Sequence, residues 1–334
     1  MTNKLSIPAI SSYILTGLAA IAVIKAGLII ALFSGLLVYS LVHLITPKLE
    51  KRIKIPKARL FVLALLAIFI SSGIAALIFG IVSYAKSEAG SMHFLFGHLA
   101  TIIDASRSQI PAWLNDYLPY GGDALRDVLT GWLREHAVEA QLIGQEAGHS
   151  IVYLFLGMII GGMIAAHEGH QTIPPFAQEL QKRAINLHKA FQKIVFAQVR
   201  ISLINTLLSG VYLLIVLPLT GVNLPFSKTL IIITFVAGLL PVAGNIMSNT
   251  VIVIISLSHS IHVAAESLLY LVLIHKLEYF LNAKIVGNQI NAHAWELLTA
   301  ILVMEALFGL PGLVAAPVYY AYLKLELGMG CFEL

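Results

Sequence analysis

The sequence predicts an all-α, polytopic membrane protein with about eight transmembrane helices. Three observations carry that expectation. Hydrophobic residues fill 58% of the 334 positions while charged residues fill only 11%, and the mean hydropathy is +0.88. An ordinary soluble domain carries about 25% charge. Apolar stretches long enough to cross hydrocarbon, about 20 residues each, recur along the chain. Basic residues, finally, collect in two of the links between those stretches. Half the usual charge cannot coat a soluble globule of this length, which excludes a soluble enzyme or a nucleic-acid binder. The net charge of +4 is small, and its placement matters more than its size. The single cysteine, Cys331, excludes an internal disulfide and a cysteine-based metal cluster. Only Lys4 precedes the first apolar stretch, which is far longer than the core of a cleavable signal, so insertion without cleavage is expected.

The first stretch, residues 5–45, is interrupted only by Lys25. As one helix it would be about 60 Å long, twice the hydrocarbon thickness. It must therefore fold back near Lys25 and Gly27 into two spans. A basic loop, 47–59, follows with Lys48, Lys51, Arg52, Lys54, Lys57 and Arg59, and the third span covers about 60–83. Residues 84–149 are too charged to span. The fourth span is 150–166, a second basic link runs to Lys193, and the fifth span is 194–217. The sixth, 229–257, contains Pro241 and Gly244; the seventh and eighth are about 263–281 and 296–324. This divides the chain into spans 1–3 (1–83), an extracytoplasmic amphipathic helical segment (84–149), and spans 4–8 (150–334), which carry the pathway.

Lysine and arginine bias places both basic links in the cytoplasm. An even number of spans then puts both termini there, with 84–149 and the links 218–227 and 282–295 outside. In the outer segment, Leu125, Val128, Leu129, Trp132 and Leu133 share one helical face, and Asp123 can cap the helix. Trp113, Tyr117, Tyr120 and Trp132 suit the membrane boundary. Two readings stay open: a layer that covers a pathway or joins subunits, and an amphipathic hairpin with an architectural role alone.

Catalytic signals are weak. His167, Glu168 and His170 resemble a zinc motif, but HExxH needs histidines four apart on one face. No P-loop, GxGxxG or GxSxG run is present, so no enzyme is expected. The informative polar residues lie inside spans, where an ionisable group costs several kcal/mol unless it meets a partner or a wet cavity. Glu305 is the sharpest case. It precedes Phe308, Gly309, Leu310, Pro311 and Gly312, where proline removes a helical N–H and glycine allows unusual backbone angles. Pro241, Gly244 and Asn245 repeat the design in the sixth span. Two broken helices are how transporters build a midplane site. Secondary candidates are Glu266, Glu278, Gln198 and Arg200, with His275 and Lys276 beside them. Gly157 and Gly161 form a GxxxG that reads as helix packing.

Gln198, Gly221-Val222, Pro241-x-x-Gly244, Ile285-Val286-Gly287 and Phe308-Gly309-x-x-Gly312 with Pro317 occur in this order. In order and spacing the chain resembles the autoinducer-2 exporter family, also called PerM-like permeases, over most of its length. Ala197, Ala283 and Ala294 depart from the family pattern, as does Glu305, which stands where many members carry a small residue. The resemblance implies an eight-span bacterial inner-membrane permease, embedded in the lipid bilayer and assembled as a homo-oligomer; with no P-loop in the chain, the leading expectation is ATP-independent movement of a small polar solute. Some members are linked to autoinducer-2 export and others to sodium–proton exchange. No cofactor is expected, with Na⁺ or H⁺ as the coupling ion. Burial raises a carboxylate's pKa toward neutrality, which lets such a group carry a proton; Glu305 is the first candidate for that role, with Glu278 or Glu266 as a second carboxylate. The competing class is a membrane assembly or scaffold protein whose buried charges are structural pairs.

Overall fold

The computed structural model describes residues 6–52, 58–86, 127, 131, 134–167, 173–239, 243–257, 259–290 and 292–328. Its regular elements are all helical: α1 (Ile7–Lys25), α2 (Ile29–Arg52), α3 (Ala58–Lys86), α4 (Ala137–Ala166), α5 (Pro175–Leu219), α6 (Ser227–Gly238), α7 (Ala243–Leu257), α8 (Ile261–Ile290) and α9 (Ala294–Glu326). By length and composition six of them, α1 to α5 and α9, can cross a membrane, while α6 and α7 are shorter apolar helices. Several residues singled out above lie outside the described ones: Lys54, Lys57, Trp113, Tyr117, Tyr120, Asp123, Leu125, Val128, Leu129, Trp132, Leu133, Glu168, His170, Pro241 and Cys331. The side chains of Glu278, Ile285 and Val286 on α8 also fall outside them.

The chain divides into two compact units. The first comprises Met1–Ile68, Ala147–Gln198 and Asn282–Leu334, the second Phe69–Glu146 and Val199–Leu281.

In the first unit the long opening stretch turns back at Ala26–Leu28, where Gly27 adopts φ 68°. That left-handed conformation is open to glycine at little cost. Helices α2 and α4 meet backbone to backbone. A Cβ on Gly35 would lie 2.8 Å from the Gly157 carbonyl oxygen, and one on Gly157 or Gly161 would collide with the α2 backbone. The Ser34 hydroxyl donates to the Leu154 carbonyl at 3.0 Å across this seam. The 157/161 glycine pair is thus a helix-packing motif, as its spacing predicts. Phe33 and Phe191 stack obliquely at 5.2 Å, and Ile24, Ile29 and Ala315 form a buried cluster.

Two helices start earlier than expected. The fifth begins at Pro175, so the supposed basic link up to Lys193 is helix. Proline suits the first helical turn, and no glycine or further proline interrupts the run until Gly210. Its apolar residues Ala190, Phe191 and Ile194 are buried while Lys182 and Lys189 face outward. The fourth helix begins at Ala137 rather than Ser150, because the preceding Ala, Glu, Gln and Leu residues are strong helix formers.

The second unit has its core at Tyr212, Leu213, Leu217, Leu230, Ile252, Val263 and Leu271. Within α5, Tyr212–Val216 winds as a π-helical turn in which the Leu217 N–H reaches the Tyr212 carbonyl. Pro218 follows, and its ring and missing N–H would disrupt a regular turn there.

Candidate functional site: two folded-back hairpins

Helix α9 is not one straight rod. At Gly309 the backbone leaves helical geometry (φ 64°, ψ −147°), a combination essentially restricted to glycine. Beyond it the chain returns along itself. Glu296 in the first turn accepts a hydrogen bond from Tyr320 and pairs with Lys324 at 2.8 Å, residues that a straight helix would hold about 40 Å apart. Near the tip, Pro311 contributes no N–H, and a Cβ on Gly312 would collide with the Met304 carbonyl. Phe308 packs on the Ile24 and Ala315 cluster. Each arm is about 15 residues, roughly 23 Å, and too short to cross the hydrocarbon. The eighth span is thus broken where the sequence predicts, and the break is a full reversal.

The base of this hairpin is clamped. Arg183 of α5 donates to Glu326 and, at 3.2 Å, to Glu179; its guanidinium lies 3.8 Å from the centre of the Tyr13 ring on α1. Asn186 adds a bond to Glu326 at 3.2 Å, and Ser12 Oγ lies 3.4 Å from Arg183 Nε. The Arg183 and Glu326 side chains are only 10% and 3% exposed. Both ends of α9 therefore lie beside the basic leading turns of α5. A last span crossing once, as the sequence predicts, would instead hold Glu296 and Lys324 at opposite ends.

A cavity of about 460 Å³ separates the hairpin from α1, lined by Thr16, Ala20 and Val23 on one side and Met304, Ala316 and Tyr319 on the other. Tyr319 donates to the Ala20 carbonyl across it at 3.4 Å. Glu305 does not line this cavity. It is exposed on the first arm, one turn before the tip, among exposed Leu302 and Leu307 (65% and 67%), and has no hydrogen-bond or ion-pair partner among the described residues.

In the second unit α6 and α7 form a second hairpin. A Cβ on Gly244 would collide with the Ala237 carbonyl, and Leu230 and Ile252 share one cluster. This is the break expected in the sixth span, with Gly244 and buried Asn245 just past the turn. A stripe of uncharged polar side chains on α5 is buried alongside it. Ser202 donates to the Phe235 carbonyl at 2.6 Å, and Asn205 donates to Asn245 Oδ1 at 2.8 Å. Among the described residues, the hydroxyls of Thr206 and Ser209 are buried with no hydrogen-bond partner. Farther along, Tyr212, Ser267 and Ser256 form a chain of hydroxyls at 2.9 and 2.7 Å, and Tyr212 stacks on Tyr270 at 4.2 Å. Buried hydroxyls without partners are costly, so this stripe favours any small polar species that can satisfy them.

Asn245 is therefore part of a network, whereas Arg200 and Glu266 are exposed and Gln198 is half-buried on α5. Sequence reading missed Ser202, Asn205, Ser209 and Tyr212. Their i, i+3, i+7, i+10 spacing inside an apolar run was the available signal. Among the described residues no cluster of three or more His, Cys, Asp or Glu side chains can hold a metal ion.

Asn205→Leu is expected to cost about 1–3 kcal/mol in thermal unfolding, because it removes a buried hydrogen bond to Asn245. Asn205→Leu/Asn245→Leu together should cost less than the two single changes summed.

The sequence model described as "AI-2E family transporter" matches residues 9–327 of the chain. No curated protein and no solved structure gives a match.

Proposed function

Since the chain belongs to the AI-2E transporter family and is a multi-pass membrane transporter, we propose that it moves a small polar solute through the bacterial inner membrane without ATP, driven by a Na⁺ or H⁺ gradient. The reversal of α9 at Gly309 carries this reading. A hairpin that turns back inside apolar surroundings presents backbone groups and a helix terminus where lipid alone could not satisfy them, the feature transporters use to hold substrates and coupling ions. The α6–α7 hairpin and its polar stripe offer a second set of such groups.

Glu305 is the coupling carboxylate in this scheme. An acid among exposed leucines is costly against lipid. It therefore belongs on a face that a second copy of the chain or a hydrated path covers, in line with a homo-oligomer. With both hairpins turning back, the crossings in this scheme are α1 to α5, long and apolar enough by themselves, and α8, which contains the expected seventh span, 263–281. Six crossings, like eight, keep both termini on one side, which the lysine and arginine bias makes the cytoplasm.

In proteoliposomes loaded with autoinducer-2, Glu305→Gln should lower flux at least tenfold while leaving the fold intact by circular dichroism. Wild-type flux in that variant removes Glu305 from the mechanism. Proton movement after a Na⁺ pulse, read by a pH-sensitive dye without solute flux, would identify a Na⁺/H⁺ antiporter of the same family. Flux of neither kind would favour the scaffold reading.

A further inference from the structure

A second cavity of the first unit, about 500 Å³, opens between α2, α4 and α5. It exists because the Gly35, Gly157 and Gly161 contacts bring α2 and α4 together without side chains to fill the space beside them. Its walls are otherwise apolar, with Ile164 and Ala184 exposed at its edge, and its polar lining is confined to Tyr39, Gln181 and His188. Gln181 and His188 are followed on α5 by Lys182 and Lys189, both exposed. Lys182 also contacts Glu179 at 2.6 Å, while the His188 ring is held by Ser40 at 3.2 Å and by the edge of Tyr39.

We propose that this groove holds one acyl chain of an anionic phospholipid, whose phosphate is met by Lys182 and Lys189. An open apolar groove of this size in a bilayer protein takes a ligand that is itself apolar along most of its length. The polar end selects the head group. Two exposed lysines, each next in sequence to a polar residue of the groove wall, complement a negative phosphate at its rim, and basic pockets between membrane helices recognise such head groups. The proposal is independent of the transport reading and of Glu305.

The test titrates the purified full-length protein in detergent with phosphatidylglycerol and, separately, with phosphatidylcholine of the same acyl chains, and counts bound lipids by native mass spectrometry. Wild type should hold one phosphatidylglycerol per chain at least tenfold more tightly than phosphatidylcholine. Ala184→Trp fills the groove from an exposed position and should abolish that site, while Ile159→Trp, exposed elsewhere on α4, should bind as wild type does. Lys182→Gln/Lys189→Gln should weaken phosphatidylglycerol about twentyfold and leave phosphatidylcholine unchanged. Equal binding of the two lipids, or wild-type phosphatidylglycerol binding by Ala184→Trp, overturns the proposal. A changed subunit number in Ala184→Trp with no change in bound lipid also overturns it, making the groove a contact between copies.

Discussion

Gly309→Ala is expected to lower stability by about 2–3 kcal/mol and to abolish transport. The cost comes from the backbone, since a Cβ there would meet no atom within 4 Å. With φ 64° and ψ −147°, an L-residue must either accept severe strain or relax toward helix. Relaxation straightens α9, and straightening separates Glu296 from Tyr320 and Lys324. One methyl group should thus undo contacts at the far end of the hairpin. The control is Gly17→Ala in α1, where the space is also open but the backbone is helical. That change should be neutral or stabilise by about 0.5–1 kcal/mol. Thermal unfolding in detergent and flux in vesicles check both variants, and a Gly309→Ala protein that melts and transports like Gly17→Ala would refute the reversal.

The second large effect should come from Arg183→Met, at about 3–4 kcal/mol. Glu326 is almost wholly buried, and removing Arg183 leaves its charge with Asn186 as its remaining hydrogen-bond partner from α5. A buried ion pair adds little net stability, but breaking one strands a charge where solvation is poor. Arg183→Met/Glu326→Leu should therefore recover most of the loss, because no buried charge remains. A double-mutant cycle from unfolding midpoints measures this. If Arg183→Met costs under about 1 kcal/mol, α1, α5 and α9 are not held together by this cluster.

The helical class, the turn near Lys25 and the breaks around Gly244 and Gly309 could all be read from composition and from glycine and proline placement. What those residues do in space was less legible. Thirty apolar residues satisfy the length criterion for a span whether the chain runs straight or doubles back. The difference lies in one ψ angle at Gly309 and in the pairing of Glu296 with Lys324, which no local pattern announces. Arg183 was hidden for a different reason. A run containing Lys182, Arg183, Lys189 and Lys193 reads as a solvated basic link, yet helical rotation turns Arg183 inward while its neighbour Lys182 stays outside. Glu305 shows the converse. Its apolar neighbours predict burial, and within the single chain it is exposed.

The contacts that close α9 join its opening turn to its closing turn. Neither half alone offers enough greasy length to be retained in lipid, and the Glu296 carboxylate of one faces the Lys324 ammonium of the other. The two halves are therefore expected to enter the bilayer together, as one wedge paired across its base, and not as two successive segments.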